Sequence, residues 1–146
     1  MNETKPRPGE VTYAIFAVIV SQLLTAAELV LKKIGIGMPF EENRLGEQVY
    51  YWIIGATIAV YLLLALLIYF RKNWARITYM VLTVIMLLPS IPGLVPMFRK
   101  SVFTTVMTAL EMVFLALALV LLAVKNSAEW FKKITADPAD VPPWFR

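Results

Sequence analysis

The sequence of 146 residues contains no cysteine and no histidine. The absence of cysteine excludes disulfide bonds, thiol redox chemistry and cysteine nucleophiles, and the absence of both residues excludes the usual zinc sites. Histidine is also the side chain that most often serves as a general acid or base. No glycine-rich phosphate loop and no basic, aromatic RNA-binding motif is present. The sequence therefore predicts no enzyme, no cofactor and no nucleic-acid partner.

Charged residues are scarce as well, at 16% of the chain against 60% hydrophobic residues, whereas a soluble domain has about 25% charged residues. Four apolar runs reach roughly the ~20 residues that a helix needs to cross a bilayer core; they cover 11–31, 49–70, 75–95 and 102–124. The third run carries Pro89 and Pro92 and is followed directly by Pro96; the three prolines predict a kink at its far end. We expect residues 1–146 to form one all-α membrane domain, a four-transmembrane-helix bundle in contact with the lipid bilayer.

The basic residues that flank the runs predict the orientation. With four spans, both termini and the turn between the second and third runs lie on one side, which carries nine of the 14 Lys and Arg residues. The positive-inside bias predicts that this side is the cytoplasm, with an outer loop at 32–48 and a cytoplasmic tail at 125–146. The first run is longer than a usual signal-peptide core, so we interpret it as an uncleaved span.

The outer loop, "KKIGIGMPFEENRLGEQ", has two interpretations. Its glycines, its proline and its mixed charges are typical of a solvated connector. The alternative is a partner-contact loop, because Ile34, Ile36, Met38 and Phe40 alternate along it as in a short interfacial or edge strand. Met38 and Phe40 are then the candidate contact residues, and the partner is a protein, either a toxin or a second copy of this chain.

Two short motifs flank the second half of the chain, "RKNWARI" in the central turn and "SAEWFKK" after the last run. Asn73 is predicted to cap the third helix and Ser127 to cap a short amphipathic helix. We expect Trp130 and Phe131 to lie on the membrane surface there. The pairing of the two motifs resembles a loose group of small bacterial four-span membrane proteins, with Asn-Trp-Ala-Arg opening the third helix and Ser-x-x-Trp-Phe following the fourth. The resemblance implies a four-span fold and a location in the inner membrane, and it implies no activity.

Polar side chains inside the runs fall at one depth. At a rise of ~1.5 Å per residue, each helix brings a hydrogen-bonding group close to the midplane of a ~30 Å core. Such groups should face the interior of the bundle and not the lipid. We call this predicted set the polar layer; it consists of Ser21, Gln22, Tyr61, Thr83, Thr108 and Glu111.

Glu111 has two interpretations. In the structural one it is protonated and hydrogen-bonds Gln22 or Tyr61. In the functional one it binds a proton or cation in a transport path. The sequence favours the structural one, because it shows no second charge at that depth, no basic partner for Glu111 and no pair of glycine-broken helices. Glu28, near the outer end of the first run, is positioned to pair with Lys32 one turn away.

The predicted function is accordingly a non-enzymatic interaction protein of the cell inner membrane. One concrete form is an immunity protein against a membrane-acting toxin, since such a protein needs only to sit in the bilayer and bind. The alternative is a small transporter or channel subunit that uses Glu111.

Overall fold

The computed structural model describes residues 7–36 and 44–132, which form five α-helices. These are α1 (Gly9–Lys33), α2 (Arg44–Tyr69), α3 (Asn73–Lys100), α4 (Val102–Ala123) and α5 (Lys125–Lys132). The first four are long and apolar enough to cross a membrane. Most of their large apolar side chains point outward, as expected for a surface that contacts lipid. The prediction of an all-α, four-span bundle is confirmed, and the chain is a multi-pass membrane protein.

Local chemistry accounts for several helix ends. Lys32 and Lys33 occupy the last turn of α1, and Arg99 and Lys100 the last turn of α3, where positive charge favours the negative end of the helix dipole. The side chain of Ser101 caps α4 by accepting a hydrogen bond from the Thr104 amide at 3.2 Å. Helix α3 continues through its three prolines, five residues past the end of the predicted third run.

The four long helices pack as a ring. Helix α1 contacts α2 and α4, and α3 contacts the same two helices. The seam between α1 and α4 is the most extensive, and Ala14, Ala17 and Ala118 are buried in the core, small residues of the type that lets membrane helices approach closely. The seam between α2 and α3 is the least extensive of the four. This unequal packing leaves a space inside the ring.

Helix α5 closes one end of the bundle, which corrects the predicted position of its aromatic residues. Trp130 and Phe131 do not lie on the membrane surface; both belong to the buried core, and Phe131 is only 1% exposed. Ser127 is not a cap, because α5 begins two residues earlier, and its hydroxyl donates to the Leu121 carbonyl of α4 at 2.8 Å. This bond and the burial of the two rings hold α5 against the end of the bundle.

Two arginines at and just after the turn between α2 and α3 contact α5. Arg71 donates from Nε and Nη2 to the Trp130 carbonyl at 2.9 and 2.6 Å, and its guanidinium lies 4.6 Å from the centre of the Trp130 ring. Arg76, in the first turn of α3, donates to the Leu122 carbonyl of α4 at 3.0 Å, and its guanidinium lies 5.4 Å from the centre of the Phe131 ring of α5. The predicted cap by Asn73 is wrong, because Lys72 occupies the N-cap position and no side chain caps α3 there.

Candidate functional site

A partly open cavity of about 360 Å³ lies between the four long helices. This volume lies at the lower end of the range of roughly 300–1,000 Å³ that is usual for small-molecule pockets. Apolar side chains, three of them methionines, form part of its wall. The polar side chains that line the cavity come from all four long helices; they are Gln22, Thr25, Glu28, Lys32, Tyr50, Thr57, Tyr61, Ser90, Thr108 and Glu111.

An ion pair sits in the cavity wall at the end of α1. The Nζ atom of Lys32 lies 2.8 Å from Oε1 of Glu28, and the two side chains are only 10% and 12% exposed. This is the pair that the i,i+4 spacing predicted. The same Nζ donates to the Tyr50 hydroxyl on α2 at 3.1 Å. Lys32 therefore has two partners, and the charge of Glu28 is neutralised.

Glu111 reaches the same cavity from α4. Its partly buried carboxyl faces Thr25 and lies within electrostatic range of both Glu28 and Lys32. Among the described residues, however, no basic side chain forms an ion pair with it. By sequence alone Glu111 stands apart from other charges, which favours a structural role. In the fold it shares a cavity with two of them.

The polar layer divides into two parts. Gln22, Tyr61, Thr108 and Glu111 line the cavity, whereas Ser21 and Thr83 are fully buried outside it. Gln22 donates from Nε2 to the Ser21 hydroxyl at 3.1 Å. Neither of the hydrogen bonds predicted for Glu111, to Gln22 or to Tyr61, forms in the described part of the chain. Helix register is therefore not fixed by a bond from Glu111 to either residue.

Three hydroxyl groups cluster between α2 and α3, next to the cavity. The rings of Tyr61 and Tyr79 meet edge to face at a centroid distance of 5.6 Å, and Thr83 lies beside both. All three side chains are buried, and their hydroxyl oxygens have no hydrogen-bond partner among the described residues. A buried hydroxyl without a partner is costly. Tyr61 also lines the cavity, but its hydroxyl oxygen is buried beside Thr83 and does not reach the cavity surface.

Sequence reasoning missed several lining residues on α2 and α3. Tyr50, Thr57 and Tyr61 follow the spacing i, i+7, i+11, which places them on one helical face. That stripe was present in the sequence, but only Tyr61 was included in the polar layer. The predicted contact residues Met38 and Phe40 lie outside the described residues.

Comparison of the chain with known protein families, with curated proteins and with solved structures gave no match. The function is therefore argued from the cavity itself. No group of three or more acidic side chains that could hold a metal ion occurs within residues 7–36 and 44–132. What the described cavity offers is one carboxyl without a basic partner, a neutral ion pair, several hydroxyls and an apolar wall.

Proposed function

We propose that this multi-pass membrane protein binds a small organic cation in its interior cavity and acts as a small transporter or channel subunit. The observation that carries the proposal is the position of Glu111, in the same cavity as a salt bridge that already satisfies Glu28 and Lys32. When all three groups are ionised, the cavity carries one net negative charge. A monovalent cation would balance it.

Electrostatics supports this assignment. An ionised carboxylate inside a membrane protein is costly unless it is paired. Within the described residues no side chain provides the pair for Glu111, so a bound cation gains an interaction that the protein does not make by itself. An anion would instead have to break the contact between Lys32 and Glu28.

The other lining residues favour an organic cation over a bare metal ion. Met86, Met97 and Met112 line the cavity, and methionine is a flexible side chain that adapts to irregular apolar shapes. Tyr50 and Tyr61 contribute aromatic side chains to the cavity wall. A compact ammonium group with short alkyl substituents fits this mixture of one acid and many apolar atoms.

The proposal includes a location in a bacterial inner membrane, with both termini in the cytoplasm. The excess of basic residues on the side of the termini supports that orientation. Lys32 and Tyr50 would then lie at the outer end of the cavity, and α5 would close the cytoplasmic end.

The interaction-protein hypothesis, including an immunity protein that binds a toxin, stays a prediction. Its support is the lack of recognisable catalytic chemistry and the pattern of Met38 and Phe40, which lie outside the described residues. No specific contact of the described bundle favours it over cation binding.

The test is calorimetric titration of the purified protein in detergent with tetraethylammonium. We expect saturable binding to the wild type and at least a tenfold loss for Glu111→Gln, because the amide keeps the size of the side chain and removes its charge. The matched control is Glu129→Gln, which removes an acid that is 54% exposed on α5, outside the cavity. Equal binding by a folded Glu111→Gln variant and by the wild type would overturn the proposal.

A further inference from the structure

A groove of about 240 Å³ lies between α2 and α3, beside the main cavity. Six residues line it: Ala56, Thr57, Val60, Tyr61, Leu82 and Met86. Three of these, Thr57, Tyr61 and Met86, also line the main cavity. The groove and the cavity therefore adjoin each other, with these three side chains between them.

The groove is suited to an apolar group. Thr57 is one of its two polar residues, and its hydroxyl already donates to the Ile53 carbonyl of its own helix at 2.9 Å. The hydroxyl of the other, Tyr61, is buried beside Thr83 and does not reach the groove surface. The remaining wall consists of alkyl and thioether groups, which offer a ligand dispersion contacts and no hydrogen bonds.

The position of the groove connects it to the membrane. It follows the α2–α3 seam, which is the least extensively packed of the four. Val60 and Met86 are also exposed on the outside of the bundle, where a membrane helix contacts acyl chains. A molecule dissolved in the bilayer can therefore reach the groove without crossing the polar end of the protein.

We infer that the ligand is an amphiphilic cation that enters from the lipid, with its ammonium head against Glu111 and its alkyl chain in the α2–α3 groove. The inference rests on the proposed function and deepens it by naming the substrate class. A head group alone would use the polar cavity and leave the apolar groove without contacts. An alkyl chain attached to the head group reaches the groove past the side chains that separate the two spaces, of which Met86 is the most flexible.

The experiment uses a homologous series from tetramethylammonium to hexyltrimethylammonium, with the protein in lipid nanodiscs. For the wild type, affinity should rise with each added methylene, by up to about fourfold per group if transfer from water is complete. Ala56→Leu fills the groove from α2 without touching the main cavity. This variant should bind tetramethylammonium as the wild type does and lose the dependence on chain length.

The matched control is Ala59→Leu, the same change on the same helix at a position that lines neither space. A second groove variant, Val60→Phe, should behave as Ala56→Leu does and guards against a folding defect in one of them. Partitioning of the ligands into lipid is the same for every variant, so it cancels in the comparison.

The outcomes separate the inference from the proposed function. If both groove variants keep the full dependence on chain length, the inference is overturned and the role of Glu111 stands. If both also lose tetramethylammonium, the inference is overturned because the groove is then not separable from the head-group site. If tetramethylammonium binds the wild type and Glu111→Gln equally, the proposed function fails and the inference fails with it.

Discussion

Replacing Lys32 by methionine tests whether Lys32 is paired with Glu28, which is the condition that leaves Glu111 without a partner. The two charges are 2.8 Å apart, and at an effective dielectric constant of about 20 they attract each other by about 6 kcal/mol. Desolvation offsets part of this attraction, and losing one partner of a buried pair costs about 3–5 kcal/mol. Because the pair lines a cavity, we expect Lys32→Met to lower the free energy of unfolding by about 3 kcal/mol, the lower end of this range.

A double-mutant cycle identifies the partner of Lys32. Combining Lys32→Met with Glu28→Gln should restore the free energy of unfolding to within about 1 kcal/mol of the wild type, since replacing both members of a buried pair is often neutral. Combining Lys32→Met with Glu111→Gln should restore little of the free energy of unfolding that Lys32→Met loses, because Lys32 and Glu111 do not form an ion pair. Residues that are not in contact usually show coupling below about 0.5 kcal/mol.

The assay is equilibrium unfolding of the purified variants in mixed micelles with increasing dodecyl sulfate, followed by circular dichroism. Rescue by Glu111→Gln in place of Glu28→Gln would show that Lys32 neutralises Glu111. The need of Glu111 for a cationic ligand would then disappear, and the reasoning behind the proposed function would be refuted.

Three further predictions concern the fold and its orientation. Phe131→Ala should lower the free energy of unfolding by about 3–5 kcal/mol. The control Phe103→Ala, at a side chain that is 42% exposed, should lower it by less than about 1 kcal/mol. Equal losses of stability for the two variants in thermal denaturation would contradict the docking of α5. Ser101→Ala should lower the free energy of unfolding by about 1 kcal/mol through loss of the α4 cap, whereas Ser101→Asp should keep most of the stability. Similar losses of stability for both variants would show that the Ser101 side chain does not cap α4. In intact cells, an impermeant thiol reagent should label a cysteine placed at Met38 and not one placed at Asn73, and the reverse pattern would contradict the proposed orientation.

The four spans were predictable because the information that defines them is local. About 20 consecutive apolar residues suffice to identify a membrane helix, and the Glu28–Lys32 pair follows from an i,i+4 spacing within one helix. The cavity was not predictable in the same way, because it depends on how the helices are rotated against one another. Lys32 meets Tyr50 across 18 positions of sequence, and no periodicity within one helix specifies that contact.

The amphipathic pattern of α5 correctly predicts a helix, but it predicts the wrong location for that helix. Its amphipathic pattern with Trp130 and Phe131 on one side is typical of a helix on a membrane surface. In the structure α5 instead packs against the bundle, where Arg71 donates a hydrogen bond to the Trp130 carbonyl from 59 positions away. In the sequence prediction Arg71 and Arg76 serve only as determinants of orientation. Their hydrogen bonds to a neighbouring helix depend on tertiary packing, which the charge pattern does not contain.

Site-specific labelling of Glu111 tests the central claim most directly. Dicyclohexylcarbodiimide enters membranes and adds to carboxyl groups in apolar surroundings, and peptide mass spectrometry locates the adduct. We expect an adduct at Glu111 whose formation slows as tetraethylammonium saturates the cavity, while Glu28, held by Lys32 at 2.8 Å, reacts little in either condition. Labelling of Glu111 at an unchanged rate under saturating cation would contradict the claim that this carboxylate binds the ligand.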